Sequence, residues 1–511
     1  MIDRSVLPTT RGPALLISRP CKLSLGRLAY FGMFAALVLA VSLPLISWSV
    51  KISWHDQERV GQVAIFAISS VVAVLVFIPN KVRVLLDRRS RCIAIGVIAA
   101  ALVSASLAPL PLWAFTEVAV GVGCVGLAWI VASLRRLSGA MIDRALLATL
   151  AFTCAGLVVF FWTSYSAAIL GDGHVLNAWL LLDGFSNPRF YGQFLTLALP
   201  VLAAPLFAHG YPRRYAVAAV VLSILVWMAA ITSGTRGTWL GVGCATLLLA
   251  CTGANGRRFA VIQLVAAGVG LILFWIFIHL IPEMLGMTLV NDAASRLTTS
   301  LSERGTIWKQ AIDVALQHPL LGIGPMQLAD LPNGIAAHPH QAWLQWAAEL
   351  GFPSALAITW LVLRGGVKLF SVLHTRSHST RNEDLLRICV AASVIGSLTQ
   401  AMVDGVFVMP YSQLWLALMA GWLIGLQPEA SSAPGTPVSK RAVAAWLALL
   451  IACVSWLGFV VVRDYPHLPQ REQIYAQAFH SYLKPRFWLQ GIIATKPCEA
   501  LGRRTVCLTP P

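Results

Sequence analysis

Thirteen apolar runs follow one another along the 511-residue sequence, most of them near the ~20 residues that a helix needs to cross a bilayer. They lie at about 25–50, 60–79, 92–112, 114–133, 145–166, 188–208, 214–231, 237–253, 259–281, 341–363, 385–404, 411–427 and 442–462. Charged residues make up 12% of the chain and hydrophobic residues 58%, and a soluble domain carries about twice that charge fraction. The sequence therefore predicts an all-α polytopic membrane protein of about 13 transmembrane helices. The expected division is an N-terminal segment (1–24), nine spans (25–281), a large loop (282–340), four spans (341–462) and a tail (463–511). The first run exceeds the ~7–15 apolar residues of a signal-peptide core, so it reads as an uncleaved span.

The formal charge of +17 invites a nucleic-acid partner, but its distribution orients the chain in a membrane instead. With the N-terminus in the cytoplasm, Arg4, Arg11, Arg19, Lys22 and Arg27 lie inside. So do Lys81, Arg83, Arg135, Arg136, Arg213, Arg257, Arg364, Arg376, Lys440 and their basic neighbours, together 24 of the 38 Lys and Arg. Cytoplasmic loops are the ones that collect Lys and Arg. The prediction is N-terminus in, C-terminus out, the 282–340 loop outside, a lipid bilayer as partner and no nucleic acid.

Basic residues on the bare side then stand out: Arg189, Arg236, Arg296, Arg304 and Lys309. Ionisable groups at membrane depth are costly and often functional. Arg236 follows the turn Thr232-Ser233-Gly234-Thr235 and opens a helix. Hydroxyls, glycine N–H groups and a guanidinium at a helix start suit phosphate; a snorkelling interfacial anchor is the alternative. Arg189, after Asn187-Pro188 at another helix start, carries the same two readings. Arg304 lies in the first turn of an amphipathic helix that Ser302 can cap and whose dipole Glu303 suits, with Ile307, Trp308, Ala311, Ile312, Ala315 and Leu316 at helical spacing and a stop at His318-Pro319. This helix is expected near the membrane surface.

The loop closes with Ala337-His338-Pro339-His340-Gln341, and an apolar helix follows. His340 sits at the helix start, where the dipole disfavours imidazolium and keeps a base neutral. Gln345 and Glu349 are i,i+4 polar partners. The other reading of this stretch is a polar, aromatic interfacial cap. Asp404 and Glu117 lie at outer helix ends, where they either orient a substrate or partner an arginine, or are ordinary interfacial acids. No cluster of acids suits a metal, and no cofactor is expected. Eight of the ten cysteines lie in or near apolar runs. Cys498 and Cys507 lie in the polar tail, as two free thiols or, outside the cytoplasm, as a disulfide. Pro485-Arg486-Phe487-Trp488 reads as a membrane-surface contact, with acceptor docking as the alternative.

This combination resembles the O-antigen ligase and O-antigen polymerase (Wzy-type) superfamily of bacterial membrane glycosyltransferases. His340-Gln341, nine residues and Gly351 match the first part of its His-[Asn/Ser/Gln]-x9-Gly-x-x-Gly signature, with Ser354 in place of the second glycine. The turn before Arg236, the Arg304 to Trp308 segment and Asn187-Pro188 are also similar to it, and the resemblance covers about residues 60–427. It implies a GT-C-like helical bundle in the bacterial inner membrane, with a large periplasmic loop containing short helices. It also implies metal-independent, inverting transfer of a glycan from an undecaprenyl-pyrophosphate-linked oligosaccharide to a hydroxyl of a glycan, lipid A–core or protein. His340 would be the general base, with Arg236 and Arg304 on the pyrophosphate, Arg189 a further donor-binding candidate, and His338, Gln341, Glu349 and Asp404 in support. Ligases, polymerases and protein O-oligosaccharyltransferases share these features. A transporter of lipid-linked cargo is the reading from another class; it would show interrupted repeats and polar groups at the midplane.

Overall fold

The computed structural model describes residues 20–79, 86–171, 174–207, 212–290, 304–331, 335–428, 438–478, 484–491 and 493. Arg296, Ser302, Glu303, Cys498 and Cys507 lie outside the described residues, as do Arg4, Arg11, Arg19, Lys81 and Arg83.

A helix underlies each of the thirteen apolar runs. The first ten helices are α1 (Pro20–Ser42), α2 (Trp54–Phe77), α3 (Arg88–Leu107), α4 (Pro111–Ser138), α5 (Ala140–Leu170), α6 (Pro188–Leu202), α7 (Ala204–Phe207), α8 (Arg213–Thr232), α9 (Arg236–Ala250) and α10 (Ala254–Phe274). A π turn and α11 (Ile281–Met284) extend α10. Then come α12 (Arg304–Gln317), α13 (Ala342–Thr375), α14 (Asn382–Gln400), α15 (Pro410–Leu426), α16 (Lys440–Asp464) and α17 (Leu468–Ala478). One parallel pair of three-residue strands, β1 (Val175–Asn177) and β2 (Thr288–Val290), ties two connections together.

Among the described residues, nine helical stretches are long and apolar enough to cross a membrane. α9, α14 and α15 are shorter or more polar, and the physical reason is position. α14 packs on both α9 and α6, and α15 on α4. Every residue of α6 from Phe190 to Leu202 is buried, as is all of α15 except Ala420 and Ile424. The surrounding shell is apolar and open: Leu363 is 63% and Val367 72% exposed on α13, and Leu264 is 67% exposed on α10. Apolar surface on that scale belongs against lipid. The molecule is an all-α polytopic membrane protein.

Two helix starts differ from expectation. Pro109 and Pro111 do not continue the third span; α3 stops at Leu107 and Pro111 takes the first position of α4, where its missing N–H costs nothing. α2 starts at Trp54 rather than near 60, because Ser53 caps it by accepting the Asp56 N–H at 3.2 Å. The earlier start carries His55, Asp56, Glu58 and Arg59 into the bundle, each at most 2% exposed.

The end of the bundle opposite the expected loop is locked by ion pairs. Arg135 holds Asp143 at 3.0 Å and Glu383 at 2.8 Å, and Trp422 Nε1 donates to Asp143 at 2.7 Å. Asp384 pairs with Arg376 and Arg387, and Asp87 with Arg364 and Lys368. Arg135, Arg364, Lys368, Arg376 and Arg387 thus join helices to one another and to their connections.

Candidate active site

Five separate stretches of chain converge at the other end: the starts of α6, α9 and α12, the connection that leads into α13 and the one that follows α14. The sequence sets each locally. Asn187 caps α6 by accepting the Arg189 N–H at 2.9 Å, with Pro188 in the first turn. Arg189 thus projects from a fixed helix start and is exposed. Arg236 opens α9. The hydroxyls before it do not face outward as a phosphate cradle. Ser233 and Thr235 are buried, Thr235 Oγ1 donates to Pro188 O at 3.2 Å, and Thr238 Oγ1 donates to Gly192 O at 2.7 Å. They bind α9 to α6, and so set Arg236 beside Arg189.

α12 buries Ile307, Ala311 and Ala315 against the Ala347, Ala348 and Ala355 face of α13. Ile312 and Leu316 remain 44% and 64% exposed, a second apolar face suited to the membrane surface. Arg304 stands at the first turn, and Trp308, one turn on, donates from Nε1 to Pro339 O at 2.9 Å. The amphipathic helix therefore brings a guanidinium and also pins the His-Pro-His loop.

Within that loop His340 has φ +52°, a left-handed conformation uncommon for a non-glycine residue, although histidine adopts it more readily than most. Its backbone N–H donates to His338 Nδ1 at 3.3 Å, and the two rings lie 4.2 Å apart, edge to face. Just beyond, Gln341 caps α13 by accepting the Leu344 N–H, and the Ala342 N–H donates to Ala401 O at 2.9 Å. The last contact fixes α13 to the end of α14, and there Asp404 Oδ1 lies 3.9 Å from His340 Nδ1. Asp404 is held by the Gly405 N–H at 2.8 Å and by Gln400 Nε2 at 3.3 Å. It is 7% exposed, a buried carboxylate that faces the imidazole without a direct hydrogen bond to it.

His340 is neutral at pH 7, but the dominant cause is not the helix dipole. Burial pushes its pKa down to about 4; Asp404 opposes this, and Arg189 and Arg304 add to it. Burial, with His340, Arg486, Arg189 and His55 behind it, holds His338 well below the usual imidazole range. Arg304 is lowered by burial, supported by Asp404, and lowered again by Arg189 and Arg236. The three guanidiniums thus feel one another across the site. A cluster of like charges of this kind stores repulsion that an anion relieves.

Glu349 lies elsewhere than on the His340 side. Both its oxygens accept from Arg486 Nη2, at 2.9 and 2.7 Å, and Glu117 Oε1 lies 3.4 Å from the same nitrogen. Gln345, with its amide oxygen toward the guanidinium, accepts from Arg486 at 3.0 Å. The tail around Arg486 is not a membrane-surface contact: Arg486, Phe487 and Trp488 are at most 2% exposed. Their sequence, two aromatics beside an arginine, is the same for an interfacial anchor and for a buried strap. Only the buried polar group on α2 that receives them tells the two apart, and Arg59 there was hidden by placing the helix start too late.

Residues 218–359 match the O-antigen ligase family model (Wzy_C). The matched stretch runs from α8 to the middle of α13 and contains Arg236, Arg304, His338, His340, Gln341, Glu349 and Gly351. Comparison with curated proteins gives no match. The match covers 142 of the 511 residues, so the likeness to that family is a likeness of this region.

Proposed function

Taking the chain as a member of the O-antigen ligase and polymerase superfamily, we propose that it transfers a glycan from an undecaprenyl-pyrophosphate carrier to an acceptor hydroxyl at the periplasmic face of the inner membrane. The observation that carries this reading is the convergence of a neutral histidine, its carboxylate partner and three arginines from separate elements. His340 takes the proton of the acceptor hydroxyl, and Asp404 orients the ring and stabilises the imidazolium that forms. The acceptor oxygen bonds to the anomeric carbon as the bond from that carbon to the pyrophosphate oxygen breaks. The electron pair leaves with the lipid pyrophosphate, whose growing charge Arg236, Arg304 and Arg189 stabilise. Guanidinium forks match phosphate oxygens in pairs, so no step needs a metal. Attack opposite the leaving group inverts the anomeric centre.

The test is His340→Ala in cells lacking the native gene, with surface, lipid-linked and protein-bound glycans separated on gels. A general base contributes about 10²–10⁴ in rate, so transfer should fall below detection while the protein still reaches the membrane. Near-normal transfer by His340→Ala would overturn the assignment. The stranded product identifies the acceptor: long chains left on the carrier mean a ligase, and a single repeat already on its acceptor means a polymerase. Unglycosylated envelope proteins with normal lipopolysaccharide mean protein glycosylation. If no glycan changes when the gene is lost, a transporter of lipid-linked cargo is the better reading.

A further inference from the structure

The tail returns to the bundle after α17 and threads into it. Arg59 Nε donates to Phe487 O at 3.0 Å and Arg59 Nη2 to Arg486 O at 3.2 Å, and the guanidinium of Arg59 stacks 4.9 Å over the Phe487 ring. The Leu489 N–H donates to Asp56 Oδ1 at 2.7 Å, and Trp488 Nε1 to Asp464 Oδ2 at 2.9 Å. A turn closes the segment, with the Gly491 N–H on Trp488 O at 3.1 Å. Gly491 has φ +69°, and a Cβ there would stand 1.4 Å from Lys484 O and 3.5 Å from the Ala337 methyl. The strap therefore ends against the residue before His338.

Burial alone would lower the Arg486 guanidinium, but Glu349 and Glu117 outweigh it and hold it above its ordinary value. Without Arg486, Glu349 would be a buried acid with no cation on the second turn of α13. Breaking one half of a buried pair costs far more than removing both halves. The helix start that carries Gln341, and the loop that carries His338 and His340, would have to move to hydrate it.

We propose that the segment Lys484–Gly491 is a built-in strap of the active site and that Arg486 is its positioning residue, fixing the His338–His340 loop through Glu349 and Gln345. This rests on the transfer reading for what the loop does, but not for how the loop is held. It also makes the tail, which lies outside the stretch that resembles the superfamily, part of the working enzyme.

The test uses the purified full-length protein and a lipid-linked donor, with three variants. In Arg486→Met both the charge and the fork are lost. Displacement of the loop by about 1 Å is enough to lower transfer about 10²-fold. His338 faces His340, Arg486, Arg189 and His55; with the Arg486 cation gone it titrates higher, and its protonation, 4.2 Å from the His340 ring, removes activity above the acid limb that His340 sets, so the limb moves up in pH. Arg486→Lys keeps the charge, so a smaller loss with an unmoved limb is expected. Glu349→Leu with Arg486→Met removes the whole pair and should recover at least about tenfold over Arg486→Met alone. A full rate in Arg486→Met, a shifted limb in Arg486→Lys, or a double variant no better than the single each overturns the strap. Where Arg486→Met does not accumulate, the other two variants decide.

Carbethoxylation of His338, followed by mass spectrometry, needs no substrate. Protection in the wild-type protein and reaction in Arg486→Met, or in Gly491→Ala, is the expected result. If the wild type shows this protection but transfers no glycan, the functional reading fails and the strap stands. Reactive His338 in the wild type overturns the strap whatever the transfer assay gives.

Discussion

An imidazole with a pKa near 4 is a weak base for an alcohol, and the residues around His340 state how that is corrected. Burial and the Arg189 and Arg304 charges depress it, and those same arginines are the ones offered to the donor. A bound pyrophosphate diester brings two negative charges, offsets the part of the depression that the arginines cause and raises the basicity of His340 only when substrate is present. The acid limb of kcat/KM reports the free enzyme and that of kcat the complex. Transfer should therefore rise through about pH 4 in kcat/KM, with the kcat limb lying at higher pH. Coincident limbs, or a kcat limb at lower pH, would remove the arginines from the donor site. His340 itself was legible from the sequence, because a histidine at a helix start after a His-Pro pair is a local pattern. The importance of Asp404 was not, since 64 residues and two helices separate it from His340 and nothing local distinguishes it from other acids at helix ends. Arg236 was legible as a cation out of place. The hydroxyls beside it were misread, because Thr235 and Thr238 bond to α6 and only the packing of α6 on α9 reveals that.

Helices place these residues, and α13 carries a break that explains the spacing from His340 to Gly351 in physical terms. Gly351 has φ +80° inside an otherwise helical run, followed by Pro353. A Cβ there would stand 2.3 Å from Leu320 O and 2.8 Å from Leu321 N. The chain leaving α12 crosses α13 at this point, with the Phe352 N–H on Pro319 O at 2.9 Å and the Ile323 N–H on Ala348 O at 2.9 Å. The glycine is where two backbones touch, and it fixes how far α12, with Arg304 and Trp308, reaches over His340. Gly351→Ala should cost ~1–3 kcal/mol for the left-handed backbone, with a further displacement of α12 from the clash. The expected result is a lower melting temperature and a loss of transfer, with overall helix content unchanged. Wild-type transfer by Gly351→Ala would show that the crossing does not set the site. The spacing from His340 to Gly351 is visible in the sequence, but the crossing segment is not, because Leu321-Gly322-Ile323-Gly324 reads as any glycine-rich turn. α12 was legible from its periodicity because both of its faces are used, one on α13 and one open. The start of α2 was not, because a run of His, Asp, Glu and Arg looks like a loop until the strap that hydrogen-bonds to His55, Asp56 and Arg59 is seen.

At the scale of the whole molecule, interior helices are enclosed by protein and outer helices present the apolar boundary. α6, α14 and α15 are buried by protein and tolerate Gln193, Ser393, Gln400 and Gln413 among their apolar residues, whereas α13 beyond its kink and α10 are nearly uniformly apolar outside. Hydropathy makes the second class easy to see and the first class short and doubtful. The orientation expected from the charge distribution has a consequence for the donor. A glycan presented on a carrier outside the cytoplasm reaches His340 only if the starts of α6, α9 and α13 face the same side. The basic residues at the other end are already spent in pairs such as Arg135 with Asp143 and Arg376 with Asp384, so those pairs hold helices together as well as orienting them. Single cysteines test the orientation in a chain whose native cysteines are replaced. Val50, 99% exposed between α1 and α2, marks the site end. Thr380, exposed between α13 and α14, marks the other. An impermeant maleimide should label Val50→Cys in intact spheroplasts and Thr380→Cys only after permeabilisation. The reverse pattern would put His340 in the cytoplasm, where an alcohol acceptor on the outer envelope could not meet it, and the three arginines would then have to be read as binding a cytoplasmic phosphate instead.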